Sequence, residues 1–155
     1  MRQHLTGVRA AMEIGGEAEG AAISSQELVF TPGRIKPGKY HFSIGTAGSC
    51  TLVFQAILPA LLVADGVSEV VLEGGTHNPF APPFDFLQKT FLPLLGKMGC
   101  RIEAKLERPG FFPAGGGRVA FTVHPDATLE PLELTDLAGV NFSAKAVCAQ
   151  LPHHI

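Results

Sequence analysis

Several short stretches of this chain combine residue types suited to chemistry. In Gly45-Thr-Ala-Gly-Ser49 a turn of small residues joins a strand to a helix start. Unpaired N–H groups and the helix dipole favour an anion such as phosphate at such a place. The turn is not a P-loop, since the lysine and the GxxxxGK spacing are absent. The alternative is that Ser49 caps the helix and the glycines let helix and strand pack closely. Thr51 and Gln55, four residues apart, share one face of that helix among Leu52, Val53, Phe54, Ile57 and Leu58. A glutamine amide there needs hydrogen-bond partners, which either a ligand such as a nucleotide or Thr51 and the local backbone supplies.

Further on, Thr76-His-Asn-Pro and Ala81-Pro-Pro-Phe-Asp85 form a proline-stiffened loop after a strand. Prolines hold a ligand-facing loop ready without an ordering cost. His77 and Asp85 have acid–base chemistry, but across these prolines they need not meet, and Asp85 is expected to cap the next helix. In Arg108-Pro-Gly-Phe-Phe-Pro-Ala-Gly-Gly-Gly-Arg118 three consecutive glycines follow a proline. Such a run suits a sharp turn, or the close approach of another backbone or an anion. Arg2, Gln3 and His4 open the first helix, where only a subset can face one cleft. His153-His154 have no third metal ligand at helical spacing, and His41 and His124 read as ordinary strand histidines.

Elements must hold these residues in place. At 155 residues and 46% hydrophobic, the chain can bury a core of single-domain size. Only 17% of residues are charged and the net charge is −2, so any RNA contact has to be local. Cys50, Cys100 and Cys148 are odd in number, widely spaced and in no metal pattern; they read as reduced, small core residues of a cytoplasmic protein. No apolar h-region opens the chain. The stretch from Cys50 to Ala64 falls short of the ~20 residues that span a bilayer, so no membrane association is expected.

The apolar spacing predicts a helix over 2–14 with Leu5, Val8 and Met12 in its stripe, and strands over 17–23 and 26–31. A strand over 39–44, a helix over 50–64 and a strand over 67–72 follow. A second long helix is predicted over 84–97, then strands over 100–106 and 118–124, and a last strand over 141–150. Helix, glycine, strand, strand occurs twice, and Gly16-Glu17 aligns with Gly99-Cys100. The expected class is therefore α+β, built from repeated β-α-β-α-β-β units: four-stranded sheets with two helices packed on one face. Residues 1–37 read as the tail of a first repeat, 38–124 as a complete second repeat, and 125–155 as a linker and the start of a further segment. Both ends look cut, which predicts an exposed apolar patch on the first helix and possible self-association.

In this order and spacing, Arg2-Gln-His-Leu-Thr6, Gly45-Thr-Ala-Gly-Ser-Cys-Thr-Leu-Val-Phe-Gln55, Gly74-Gly-Thr-His-Asn-Pro-Phe-Ala-Pro-Pro83 and Gly110-Phe-Phe-Pro-Ala-Gly-Gly-Gly117 closely resemble the RNA 3′-terminal phosphate cyclases. The resemblance covers essentially the whole chain. It implies the same repeat fold and an ATP-dependent reaction, with a divalent cation (Mg or Mn), that converts an RNA 3′-phosphate end to a 2′,3′-cyclic phosphodiester. In the family a histidine is adenylated, AMP passes to the RNA phosphate, and the 2′-OH attacks and releases it. By position, Gln3, Gln55 and Pro82 match residues that line the adenylate site, which favours the ligand reading of Gln55. Arg2 and His4 match neighbouring motif positions. The Gly115-Gly116-Gly117 run matches the signature and is expected to shape the fold more than to touch substrate.

Family members are about twice as long, as a repeat architecture requires. Their Glu-Gly-Gly-Gly-Gln motif precedes the position of Met1, and their adenylated histidine lies beyond that of Ile155. No catalytic or metal-binding residue is therefore assigned within this chain, and His153 and His154 do not match the nucleophile. The expectation is a cyclase whose 155-residue piece is inactive alone. The alternative is a non-catalytic, cyclase-like protein that binds RNA or acts in ribosome assembly.

Overall fold

Period-two alternation in Ser68–Gly74 and Gly117–His124 dictates the central sheet. Ser68, Val70, Leu72 and Gly74, and opposite them Gly117, Val119, Phe121 and Val123, are buried, while the residues between them turn outward. The computed structural model describes residues 2–125, 128–135, 139 and 142–148. Its elements are α1 (Arg2–Glu13), β1 (Glu17–Glu19), β2 (Val29–Thr31), β3 (Lys39–Ser43), α2 (Cys50–Leu62), β4 (Ser68–Gly74), α3 (Phe84–Phe86), a π-helical turn (Leu87–Phe91), α4 (Leu92–Lys97), β5 (Arg101–Arg108) and β6 (Gly117–His124).

The sheet order is β3-β4-β6-β5. β3 and β4 are parallel, as the α2 crossover requires, and β6 is antiparallel to both β4 and β5. The ladder runs from Lys39↔Glu69 to Ser43↔Glu73 on one side of β4 and from Ser68↔Val123 to Gly74↔Gly117 on the other. Phe121 of β6 stacks on Phe54 of α2 (3.6 Å between centroids) and meets Phe84 of α3 at 6.4 Å. Both helical segments therefore pack on one face of the sheet. The opposite face carries Glu73 and Glu107 around Arg118, and the Lys39–Glu69 pair (3.0 Å).

This is the expected α+β arrangement: a four-stranded sheet with helices on one face. Its details differ from the sequence reading in several places. Residues 84–97 are helical throughout, but the middle is π-helical. Pro93 cannot donate an i→i−4 bond and its ring crowds the carbonyl of Lys89, so the helix widens and the Leu92 N–H bonds Leu87 O. β1 and β2 are shorter than predicted, because Gly20 and Ser24 adopt positive φ and break the extended backbone. No strand forms over the described residues 142–148 of the predicted strand 141–150. Buried in α1 are Ala10 and, just after it, Ile14, whereas Leu5, Val8 and Met12 are half-covered.

α1 and α4 end in the same way. After α1, Gly15 has φ +134° and the Gly16 N–H bonds Ala11 O (3.0 Å); after α4, Gly99 has φ +93° and the Cys100 N–H bonds Leu95 O (3.0 Å). Each is the six-residue closure of a left-handed helix cap. Gly15 and Gly99 hold the same position in these caps, one residue from the Gly16–Gly99 pairing read in the sequence. The antiparallel pairs β1–β2 and β5–β6 follow their respective caps.

Candidate functional site

Because β3 and β4 are parallel and β6 is antiparallel to them, the turn after β3, the loop after β4 and the β5–β6 loop all lie at one end of the sheet. This is the carboxyl end of the parallel pair, where open α/β sheets place their ligands. The N-termini of α1 and α2 reach the same place, since the Gln3 Oε1 accepts the Ser49 N–H (2.6 Å).

The end of the turn after β3 is bound by protein groups. The Ser49 Oγ accepts the Leu52 N–H (3.2 Å), so Ser49 is the N-cap of α2. The Cys50 N–H bonds Gly75 O (2.9 Å) and the Gly75 N–H bonds Gly48 O (2.8 Å). These bonds make Ser49 the cap of α2 and tie the turn closely to Gly75, as the cap-and-packing reading of Gly45–Ser49 expects. Asn78, a residue that the sequence left without a role, donates to Ala47 O (2.5 Å). Its Oδ1 is buried without a partner among the described residues. Gly75 lacks a Cβ because one would overlap that amide and Ala47 O. Gly75, three residues before Asn78, was the sequence signal of this clamp.

The glycine-rich loop is tied to the same body. The Gly110 carbonyl accepts the N–H groups of Thr76 (2.8 Å) and His77 (3.1 Å), and the Gly110 N–H returns a bond to Thr76 Oγ1 (2.9 Å). Gly115 has φ +72°, and a Cβ on it would press on Ala47 and Thr46. Gly115 and Gly117 thus serve close backbone approach, in keeping with a role in shaping the fold.

Of the three residues expected at a nucleotide, Gln3 and Pro82 are joined through the first turn of α2. The Ser49 Oγ and Thr51 Oγ1 lie 2.6 Å apart, and the Thr51 hydroxyl donates to Pro82 O (2.7 Å). Gln55 stands one turn beyond Thr51 on the same helix face and is half-buried. No hydrogen bond holds its amide among the described residues, so Thr51 does not satisfy it; Thr51 is engaged with Pro82 instead. An amide of this kind can offer a donor and an acceptor together to solvent or to a ligand. Gln3 also borders a cavity of about 430 Å³ between α1 and α2, with His4, Val8, Phe30 and Leu52. Arg2 is exposed, reaching Gly45 O at 3.4 Å.

His77 and Asp85, which the spacing did not require to meet, do meet. The His77 Nε2 lies 2.9 Å from Asp85 Oδ2, and its Nδ1 lies 2.7 Å from Thr76 Oγ1. Asp85 caps nothing: the residue before α3 is Pro83, with no side-chain cap. The His77 hydrogen bond, with help from Lys89, holds the Asp85 carboxyl below the usual range against the opposing effect of burial. The bend at Pro82-Pro83, which brings Asp85 back over the loop, is what the spacing could not reveal.

Elsewhere, His41 pairs with Glu73 (3.4 Å), and His124 with Arg101 and Glu103. Cys50 and Cys100 are buried, and burial pushes the Cys50 thiol up to about 12. Cys148 is exposed, unlike the core residue expected. His153 and His154 lie outside the described residues. Among the described residues no three His, Cys, Asp or Glu side chains gather as a metal site, and no helix is long and apolar enough to cross a membrane.

Residues 1–151 match a family model described as RNA 3′-terminal phosphate cyclase. A protein of Koribacter versatilis named RNA 3′-terminal phosphate cyclase is 52% identical over 157 aligned positions, covering 100% of this chain and 44% of that protein. Proteins of the same name from Ectopseudomonas mendocina and Pseudomonas fluorescens are likewise 52% identical, with 46% of each covered. The chain thus spans less than half the length of these curated relatives. With the four motif stretches hydrogen-bonded into one body at the sheet end, and the match running across nearly every residue, the chain belongs to the RNA 3′-terminal phosphate cyclase family.

Proposed function

We propose that this chain carries part of the nucleotide site of an ATP-dependent RNA 3′-phosphate cyclase, a ligase acting in cytoplasmic RNA processing. In that reaction AMP from ATP passes through an adenylated histidine to the RNA 3′-phosphate and leaves when the 2′-OH closes the 2′,3′-cyclic phosphodiester. The observation that carries the reading is the bond network joining Gln3, Ser49, Thr51 and Pro82, with the partnerless Gln55 amide one turn away. Gln55 would read the base edge, Pro82 would hold the loop against it, and Gln3 would keep the start of α2 in position. Among the described residues no three His, Cys, Asp or Glu side chains gather to hold the divalent cation.

Residues 1–37 are read as the helix–strand–strand half of one repeat, 38–124 as a complete unit, and 125–155 as the lead into a further segment. The nucleophile is not among the residues assigned, so the chain alone should be inactive. Incubation with ATP labelled on the α-phosphate tests this: no label should survive denaturation, and covalent label would overturn the claim. Equilibrium binding of ATP tests the site itself. Gln55→Ala should weaken binding by about tenfold, the loss of one or two hydrogen bonds to a ligand, and unchanged binding would reject the assignment.

A further inference from the structure

Two phenylalanines stand in solvent at the same end of the sheet as the candidate site. Phe80 is fully exposed and has φ +62°, a backbone state that is costly for a bulky residue. Phe112, at the tip of the β5–β6 loop, is 69% exposed. Their loops are fastened together by the Thr76 and His77 bonds to Gly110 O and by Phe111, whose ring stacks on His77 at 5.3 Å. Neither side chain serves the core, and the loops that present them are held firmly.

Beside them runs a groove made of two adjoining hollows. The larger, about 660 Å³, is bordered by Arg108, Phe112 and Gly116; the smaller, about 390 Å³, by His77, Asp85, Lys89 and Lys145. Phe111 and Val147 line both. The two linings hold Arg108, Lys89 and Lys145 and one carboxylate, Asp85, which pairs with Lys89 at 3.4 Å, while the Arg108 Nε donates to Gly116 O, in a chain whose net charge is −2. The basic character is therefore local to this groove. Phe80 lies midway along the loop between His77 and Pro83, both of which border the smaller hollow.

Cations along a groove with exposed aromatic rings at its rim are the two components of single-strand recognition. Phosphates meet the cations, and unpaired bases stack on the rings. We infer that this groove is the track for the single-stranded RNA leading to the 3′ end, with Phe112 and Phe80 as base-stacking platforms and Lys89, Lys145 and Arg108 facing the phosphates. The identity of the strand rests on the cyclase reading above; the groove and its chemistry do not. The bound segment approaches along the glycine-rich loop, which is linked through Gly110 and Thr76 to the loop that carries Pro82.

The test is fluorescence anisotropy of this chain with a labelled single-stranded RNA of about ten nucleotides carrying a 3′-phosphate, beside the same sequence as a duplex. Phe112→Ala should weaken single-strand binding about tenfold, the effect of losing one stacked base, with a smaller loss for Phe80→Ala. Lys89→Gln should reduce the dependence of affinity on salt, while Lys105→Gln on β5 should not. Both phenylalanines are outside the core, so the variants should fold. Single-strand affinity unchanged in both phenylalanine variants, duplex bound as tightly as single strand, or no RNA binding at all would each overturn the track. ATP binding measured on the same preparations separates the two failures: if it persists the nucleotide site stands, and if it too is absent both readings fall.

Discussion

Thr51 is the residue on which the site turns, because its buried hydroxyl bonds Ser49 and holds the carbonyl of Pro82. Thr51→Val keeps the shape and removes both bonds, leaving a carbonyl without its partner. We expect a loss of about 1–3 kcal/mol in urea unfolding and weaker ATP binding, since the Pro82 loop is released. Gln55→Ala should differ: with no internal bond to lose, its stability should stay within about 0.5 kcal/mol of the parent. Asp85 gives a pH signature. Its folded-state pKa is lowered, chiefly by the His77 hydrogen bond, so the unfolded chain takes up the proton first. Its contribution is fully present above about pH 4, the unfolded value, and is lost as pH falls through the depressed native value. Glu73, lowered by its hydrogen bond to Arg118, has the same sign. Urea midpoints measured against pH should therefore fall less steeply for Asp85→Asn than for the parent in that acid window.

At the scale of elements, two glycines illustrate opposite demands. Gly110 lies where the glycine-rich loop passes over β4 and β6, and a Cβ there would overlap the Gly117 backbone and Gly74 O. Backbone cannot yield as a side chain tip does, so Gly110→Ala should cost about 3 kcal/mol and loosen both motif loops. Gly96, inside α4 with open space around it, should accept alanine with a gain of about 0.5–1 kcal/mol. Thermal melting of the two variants checks the pair. The glycine-rich signature is thus mainly a device for bringing backbones together. Its neighbour Phe112 faces solvent and is available for contact.

At the scale of the molecule, the half-covered stripe of α1 meets a shallow apolar cavity, and Ile23, Leu28, Val29 and Phe30 are exposed nearby. Contiguous apolar surface of this kind promotes association. We expect the chain to self-associate with rising concentration in analytical ultracentrifugation, and Val29→Lys with Leu28→Ser to shift it toward monomer. Identical sedimentation of parent and variant would remove this surface as the cause.

The alternation of β3, β4 and β6, the apolar run of α2 and the glycine stops after α1 and α4 were all legible along the chain. Each is set by near neighbours: side-chain period, propensity, or a residue that tolerates positive φ. Motif order and spacing likewise carried the family. What only the tertiary structure decided were pairings across long separations. It joined His77 to Asp85 around the bend at Pro82-Pro83, Asn78 to Ala47 beside Gly75, and Gln3 to the cap of α2, and among the described residues it gave Gln55 no partner. It also tied the end of the Gly45–Ser49 turn to distant groups, the Ser49 N–H to Gln3 and the Gly48 carbonyl to the Gly75 N–H. Local sequence sets which groups need partners; the meeting of distant segments at one sheet end sets which partners they find.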